Sequence, residues 1–235
     1  MTEESKLLIK EKEIVVPGEE LAKGMDFLPS AGSYRSEDAI VSEVLGIAKV
    51  DGKVIKVVPL TGKYMPKRND VIIVQVSDVT YSSWSLDTFS PYSAMMSMKD
   101  ATAEYLERGA DLTKIYNIGD YIVAKVTNVT SQKLVDITVK GPGLRKLRKG
   151  RIIHVNSNKV PRIIGKQGSM VNIIKEHTGA QVAVGQNGVV WIYSENPEME
   201  NLSEKAIRKI EDEAHTSGLT EKMQVWLAEQ VGGKK

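Results

Sequence analysis

The sequence contains no cysteine, few aromatic residues and no long run of apolar residues. The absence of cysteine excludes a disulfide framework and a thiolate metal site, and it is typical of intracellular proteins. No apolar stretch approaches the roughly 18 residues that a membrane-spanning helix needs. The acidic start Met1–Ser5 is not followed by the apolar core of a secretory signal. These absences predict a soluble, cytoplasmic protein with no membrane contact.

Acidic residues are also missing from one long segment of the chain. From Lys140 through Lys175 there are ten lysine and arginine residues and not one aspartate or glutamate. Because the whole chain carries a formal charge of only +2, the remaining residues are net acidic. This polarised distribution is the pattern expected of a protein that binds a polyanion. A solvated basic surface is the simpler alternative.

A short glycine loop, Gly165-Lys166-Gln167-Gly168, lies inside the basic segment. Apolar helical patterns precede it at 160–164 and follow it at 169–174. The two glycines permit a sharp turn and leave room for a ligand, while Lys166 and the start of the second helix favour an anion. The candidate contacts to a nucleic-acid backbone are therefore Arg162, Gly165, Lys166, Gln167 and Gly168.

The elements around this loop follow the order strand, helix, glycine loop, helix, strand, turn, strand and helix. The predicted strands are 150–155, 181–184 and 189–193, the next helical face runs from Leu202 to Ala214, and a last helix is predicted over 221–231. This β-α-α-β-β-α order resembles the type I KH domain, in which the glycine loop clamps about four nucleotides of RNA. We place this KH domain and its C-terminal helix at residues 148–235.

A second unit, residues 63–143, is predicted to be a small five-stranded OB barrel with a helical insertion near 101–107. Asp70 and Asp120 each end a turn and begin a strand in which apolar residues alternate. These aspartate-led strands resemble the S-one-type OB domain, named after the largest protein of the small ribosomal subunit. The sequence departs from that pattern at Asn69, where the family commonly has glycine.

Aromatic residues make up only 6% of the chain, yet four of them cluster between Tyr81 and Tyr92 of this unit. OB barrels bind single strands by stacking bases on aromatic side chains beside a basic groove. We predict that Phe89 and Tyr92 face outward as stacking residues. Trp84 is a third stacking candidate, with a place in the barrel core as the alternative. The candidate phosphate contacts of the barrel are Lys67, Arg68 and Lys125.

Residues 1–62 are predicted to form a small β-domain that carries no catalytic constellation. Strands are expected at 12–16, 40–50 and 54–60, and the last two flank Asp51-Gly52, which is a strong hairpin signal. Residues 30–34 are expected to form a loop. A domain of this kind is usually a docking surface or a structural cap.

Signatures of catalysis are missing from the whole sequence. A phosphate-binding P-loop would need a glycine and a hydroxyl residue where this chain has Val160 and Gln167. The histidines His154, His177 and His215 have no metal-ligand spacing. We therefore predict that the protein is not an enzyme and has no cofactor, no metal site and no small-molecule substrate.

The order of a small β-domain, an S-one-type OB barrel and a KH domain gives a mainly β architecture with α+β parts. Over nearly the full length it resembles the archaeal exosome RNA-binding cap subunits of the ribosomal RNA-processing protein four family. The turn Gly185-Gln186-Asn187-Gly188 resembles the GxNG feature of that family's KH domain. The other archaeal cap family ends in a zinc ribbon, which a chain without cysteine cannot form.

The resemblance implies a noncatalytic protein, three copies of which sit on a hexameric ring of RNase PH-like subunits. The N-terminal domain would dock on the ring, and the OB barrels would line the entry pore for single-stranded RNA. The ring would then shorten the RNA from its 3′ end by phosphorolysis. Two alternatives remain open from the residues, namely a free-standing RNA-binding regulatory or translation factor and a ribonuclease in its own right.

Overall fold

The structure is a computed structural model and describes residues 5–102, 109–214, 216 and 218–232. The chain divides into two compact units, Met1–Gly62 and Lys63–Lys235. Within the described residues, no helix has both the length and the apolar character needed to cross a membrane.

The first unit consists of short strands in two four-stranded sheets. Its described strands are β1 (Lys6–Leu7), β2 (Ile14–Val15), β3 (Glu20–Lys23), β4 (Leu28–Pro29), β5 (Ser33–Ser36), β6 (Ala39–Ser42), β7 (Gly46–Asp51) and β8 (Val54–Pro59). The strand orders are β1-β3-β6-β5 and β2-β7-β8-β4. Leu21, Ile40 and Ile55 are fully buried in one apolar cluster to which both sheets contribute.

The sequence predicted one hairpin of this unit correctly and two other details wrongly. Asp51 pairs with Val54 across the turn at Gly52, which confirms the hairpin. The predicted strand 40–50 is wrong, because the chain bends after Ser42 and continues as β7 in the other sheet. The predicted loop 30–34 is also wrong at its end, since Ser33 begins β5. Its buried hydroxyl donates a hydrogen bond to the carbonyl of Ile55 at 2.8 Å, so a polar residue occupies a core position.

A closed barrel of five strands opens the second unit. Its strands, followed by a sixth that extends the sheet, are β9 (Val71–Val79), β10 (Ser83–Asp87), β11 (Ala94–Ser97), β12 (Tyr121–Val129), β13 (Val135–Thr138) and β14 (Arg145–Leu147). The order is β13-β11-β10-β9-β12, and β13 also pairs with β12, which closes the barrel. Helix α1 (Met98–Ala101) follows β11. The predicted helical insertion near 101–107 lies largely outside the described residues.

Both long strands of the barrel begin at the same kind of turn. Asn69 and Gly119, which precede the two strand-leading aspartates, have φ angles of +74° and +89°. Asparagine enters this left-handed region more readily than most residues with a Cβ. The replacement of glycine by Asn69 therefore keeps the turn that the S-one-type pattern requires.

The rest of the second unit confirms the predicted KH order with an added C-terminal helix. Its elements are β15 (Arg151–His154), α2 (Val160–Ile164), α3 (Ser169–Thr178), β16 (Gln181–Val184), β17 (Val189–Tyr193), α4 (Pro197–Asp212) and α5 (Leu219–Gly232). The antiparallel sheet has the order β15-β17-β16. The helices cover one face of it through a core that includes Ile163, Ile174 and Ile192.

The other face of this KH sheet packs on the barrel. Alternation along β17 directs Val190 and Ile192 toward the helices and Val189 and Trp191 toward the barrel. Ile73 of the barrel lies buried in the same cluster as Val189 and Trp191. The barrel and the KH domain therefore share an apolar core, which we call the junction.

Candidate nucleic-acid interface

The glycine loop joins α2 to α3 in a backbone conformation that suits few residues. Gly165 has φ +74° and ψ +175°, and Gln167 and Gly168 follow with φ values of +54° and +81°. The side chains of Lys166 and Gln167 are exposed. No side chain in the described part of the chain caps the first amide groups of α3, and no acidic residue lies in its first turn. The loop therefore presents a cation beside a helix N-terminus that favours an anion.

The two glycines of the loop have different physical roles. A Cβ on Gly165 would lie 2.7 Å from the backbone nitrogen of Met170, which is too close for any real contact. A Cβ on Gly168 would meet only the side chain of Asn172, at 3.9 Å. Gly165 therefore lets α2 and α3 pack closely, whereas Gly168 leaves the backbone open to an approaching ligand.

A cleft of about 350 Å³ lies beside the glycine loop. Arg162, Gly165 and Lys166 line one side, and Leu219, Thr220 and Glu221 at the start of α5 line the other. Arg162, Gly165 and Lys166 thus share one cleft within the KH domain. The other two predicted loop contacts, Gln167 and Gly168, do not line it. The sequence did not predict that the start of α5 lines this cleft. Its helical pattern predicts that α5 packs on the domain, but it does not predict where the first turn of α5 lies.

The second glycine turn, Gly185–Gly188, joins the KH domain to the barrel. The side-chain amide of Asn187 donates to the carbonyls of Ile73 at 2.7 Å and Thr88 at 2.9 Å, and its Oδ1 accepts from the Ile73 amide at 3.3 Å. The Gln186 amide donates to the carbonyl of Val71 at 2.8 Å. A Cβ on Gly185 would lie 2.7 Å from the Ile73 nitrogen. The GxNG turn is therefore a packing element of the junction.

The barrel places most of its predicted contact residues at one end. β9 and β11 begin at this end and β10 finishes toward it, so the turn that contains Lys67 and Arg68 and the loop that contains Phe89 and Tyr92 lie at the same end of the barrel. Lys125 pairs with Val71 close to the same end. Lys67 and Arg68 are exposed, and Lys125 is half-buried.

A partly buried hydrogen bond holds the turn at this end of the barrel. The hydroxyl of Tyr64 donates to Oδ2 of Asp70 at 2.6 Å. Burial raises the pKa of Tyr64 far above its ordinary value, and the hydrogen bond and negative charge of Asp70 raise it further. Tyr64 therefore stays a neutral donor and fixes Asp70, which directly follows the turn residues Lys67, Arg68 and Asn69.

The aromatic residues of the barrel differ in exposure, and the prediction for Trp84 as a stacking residue is wrong. Trp84 is 0% exposed, packs edge-to-face with Tyr116 and donates from Nε1 to the carbonyl of Tyr116 at 3.0 Å. It belongs to the barrel core because β10 alternates and Trp84 shares an inward face with Leu86. No ring face of Trp84 is left for a base.

Phe89 and Tyr92 were expected to face outward, and both are half-buried. Phe89 stacks on Tyr121 at 6.2 Å between ring centroids and meets the His154 ring edge-on at 4.9 Å. It therefore packs at the junction, while Tyr92 packs against the barrel core. Tyr81 is 76% exposed in the β9–β10 turn at the opposite end of the barrel. Tyr81 lies between Thr80 and Ser82 in the sequence, and this polar setting is the feature that indicates an exposed ring.

The structure divides the basic segment into ion-paired and exposed side chains. Lys146 pairs with Asp120. Arg151 pairs with Glu200 and Glu204 on α4, and the hydrogen bond to Glu204 is the main reason that the pKa of Arg151 is raised. These two cations stabilise the fold. Arg145, Arg148, Lys149, Arg162 and Lys166 stay exposed.

The described histidines have packing roles. His154 contacts Phe89, and Nδ1 of His177 lies 2.9 Å from the carbonyl of Ile173 one helical turn earlier. His215 lies outside the described residues. Within the described ranges, no three histidine, aspartate or glutamate side chains come together as a group that could hold a metal ion.

Comparison with known proteins agrees with this architecture. A family model of the KH domain matches residues 150–198. The exosome complex component Rrp4 of Methanothermobacter thermautotrophicus is 41% identical over 226 residues, which cover 96% of this chain and 71% of that protein. The Thermococcus kodakarensis protein of the same name is 41% identical over 229 residues, which cover 96% and 89%. A crystal structure assigned as an exosome complex RNA-binding protein has a TM-score of 0.65 and 31% identity, covering 74% of this chain and 100% of that one. The chain therefore belongs to the family of the archaeal exosome complex component Rrp4.

Proposed function

We propose that this protein is a noncatalytic RNA-binding cap subunit of the exosome. It captures the 3′ ends of single-stranded RNA and passes them to a phosphorolytic ring of RNase PH-like subunits for degradation and processing. The observation that carries this proposal is the 41% identity to an exosome complex component over 96% of the chain. The chemistry of degradation belongs to the ring, and this chain supplies binding and positioning.

Two surfaces of the second unit are suited to RNA. The glycine loop offers Lys166, Arg162 and the uncapped start of α3 to the sugar-phosphate backbone. The end of the barrel offers the exposed side chains of Lys67 and Arg68, with Lys125 nearby. Contacts to phosphates bind without base selectivity and weaken with salt. A cap that feeds many different RNAs into one ring needs this property.

The exposed apolar side chains of the first unit support a docking role for it. Of the seventeen large apolar side chains found exposed among the described residues, ten lie in residues 5–62, although this unit is much the smaller of the two. Because contiguous exposed apolar patches mark interaction surfaces, this concentration in a small unit supports its covering by a partner. We propose that this unit docks on the ring, with three copies per ring, in the cytoplasm.

The direct test combines RNA binding, RNA decay and ring binding by the full-length protein. With single-stranded RNA, phosphate and magnesium, we expect the protein alone to bind the RNA and leave its length unchanged. It should also co-migrate with an RNase PH-like ring in size-exclusion chromatography. Shortened RNA would identify a ribonuclease, and RNA binding without ring binding would identify a free-standing factor.

A pair of variants tests the docking surface. Ile14 is 62% exposed in the first unit and Val225 is 60% exposed on α5, so either position accepts lysine without loss of core packing. Ile14→Lys is expected to weaken co-migration with the ring, whereas Val225→Lys is the matched control and should leave it unchanged. Equal behaviour of the two variants would contradict docking through the first unit.

A further inference from the structure

A second basic cleft, which the sequence did not reveal, lies where the barrel meets the KH sheet. Its volume is about 390 Å³, a size typical of small-ligand sites. The barrel side consists of residues 145–149, and the KH side consists of Gln181, Trp191 and Tyr193. We call it the junction cleft. Basic and aromatic side chains line it, and none of its lining residues is acidic.

The wall of the junction cleft is held in place by the fold. Nε1 of Trp191 donates to the carbonyl of Lys149 at 2.8 Å. The next residue, Gly150, has φ +120°, and a Cβ there would lie 2.5 Å from Nε1 of Trp191. Leu147 is buried in the junction between the cleft and the barrel. Residues 145–149 are therefore fixed against Trp191 and Tyr193, which form the aromatic wall of the cleft, so a ligand would meet a preformed surface.

Two aromatic rings and one cation lie together along this wall. The rings of Trp191 and Tyr193 are nearly parallel, with an interplanar angle of 13° and centroids 6.1 Å apart. The guanidinium of Arg145 lies over the Trp191 ring, 5.7 Å from its centroid. Trp191 is buried, but Tyr193 is half-buried and keeps part of its surface open to the cleft. A planar ring can stack on Tyr193.

Only part of the positive charge of the cleft is neutralised by ion pairs among the described residues. Lys146 is paired with Asp120. Arg148 and Lys149 are exposed, and within the part of the chain that the structure describes neither lies within ion-pair distance of a carboxylate. An anionic ligand therefore meets two free cations beside an aromatic face.

We propose that the junction cleft binds one nucleotide of single-stranded RNA, with its base against Tyr193 and its phosphates on Arg148 and Lys149. A nucleotide supplies both the flat ring and the negative charge that the cleft complements, whereas an acidic peptide supplies the charge alone. The proposal rests on the RNA-binding function proposed above. It adds a third contact to those of the glycine loop and the barrel end, so a bound strand crosses the junction.

The test measures the binding of a fluorescently labelled oligoadenylate to the full-length protein by anisotropy, over a series of salt concentrations. The double variant Arg148→Ala/Lys149→Ala should bind about tenfold more weakly, and the slope of log K against log salt should fall by about 1.4, or about 0.7 per lost phosphate contact. Tyr193→Leu should weaken binding by about fivefold or more at an unchanged slope, because it removes a stacking face and no charge. Tyr193→Phe keeps the ring and should bind as the native chain does.

Controls separate the cleft from general electrostatics and from unfolding. Lys49→Ala/Lys205→Ala removes the same charge at two exposed positions outside the cleft and should bind within about twofold of the native protein. Thermal unfolding of every variant shows whether the junction stays intact. Because the charge variant replaces exposed side chains only, it tests the cleft even if Tyr193→Leu loosens the packing.

The outcomes distinguish this proposal from the one on which it rests. If Lys166→Asp weakens RNA binding while both cleft variants bind like the Lys49/Lys205 control, the cleft proposal is overturned and the RNA-binding function stands. If the native chain binds no RNA, both proposals fail. A polyglutamate peptide serves as a probe for acidic protein segments. If the cleft variants no longer bind this peptide but bind RNA as tightly as the native chain does, the cleft binds an acidic protein segment instead.

Discussion

The substitution Asn187→Ala tests how the KH domain is attached to the barrel. Asn187 is only 6% exposed, and its side chain makes three hydrogen bonds to the barrel backbone, two with Ile73 and one with Thr88. Alanine removes all three and leaves two carbonyls and one amide without these bonds. We expect the second unit to lose stability while both apolar cores keep their composition.

The expected magnitude follows from the number of bonds. A neutral intramolecular hydrogen bond contributes about 1 kcal/mol net, so three bonds correspond to about 3 kcal/mol. The neighbouring variant Gln186→Ala is the matched control, because its side chain is exposed and its contact to Val71 is made by the backbone amide. This control should change stability by no more than about 0.5 kcal/mol.

The assay is urea-induced unfolding of the full-length protein, followed by tryptophan fluorescence. Trp191 lies in the junction and Trp84 lies in the barrel core, so both report on the second unit. Asn187→Ala should unfold at a clearly lower urea concentration than Gln186→Ala. If the two variants unfold together, within about 0.5 kcal/mol of the native protein, the GxNG turn does not hold the junction and our account of it is wrong.

Three further predictions concern the barrel and the glycine loop. Trp84→Ala should destabilise the barrel by about 4 kcal/mol in urea unfolding, because it empties a fully buried site; a loss below about 1 kcal/mol would contradict its core position. Gly165→Ala should lower the unfolding midpoint more than Gly168→Ala, since only the first Cβ collides with α3, and the reverse order would refute the division of roles. Lys67→Ala/Arg68→Ala should lower the salt dependence of RNA binding by a slope of about 1.4 without changing thermal stability. An unchanged slope would remove this end of the barrel from the RNA path.

The sequence predicted the order of domains and most elements of the second unit because their signals are local. Aspartate-led alternating strands and a glycine loop between two apolar helices each depend on a few neighbouring residues. The structure shows one more local interaction of this kind, since the side chain of Asn196 accepts a hydrogen bond from the Glu198 amide at the start of α4. Local signals of this kind do not depend on what packs around them.

Features that depend on packing between distant segments could not be predicted from local sequence signals. Nothing near Trp84 distinguishes a ring that stacks on RNA from one that fills the barrel, because both positions occur on an alternating strand. Phe89 lies between the polar residues Thr88 and Ser90, yet it meets Tyr121 and His154 from other elements. Arg151 belongs to a basic segment in the sequence, and only the fold brings Glu200 and Glu204 to it.

The junction cleft escaped prediction for the same reason. Its basic side follows the barrel in the chain, and its aromatic wall lies on β17, more than thirty residues later. Trp191 and Tyr193 looked like ordinary residues of a strand. Both side chains point away from the helices, and only the structure shows that β14 lies beside them and forms a cleft with them.

The measurement that tests the central claim most directly is RNA decay by a reconstituted RNase PH-like ring, with and without this protein, beside the protein alone. We predict that the protein alone is inert, that it accelerates decay by the ring and tightens its RNA binding, and that Lys166→Asp or Arg68→Ala reduces this gain. RNA decay by the protein alone, or a ring that neither binds it nor changes rate, would contradict the assignment as a noncatalytic cap.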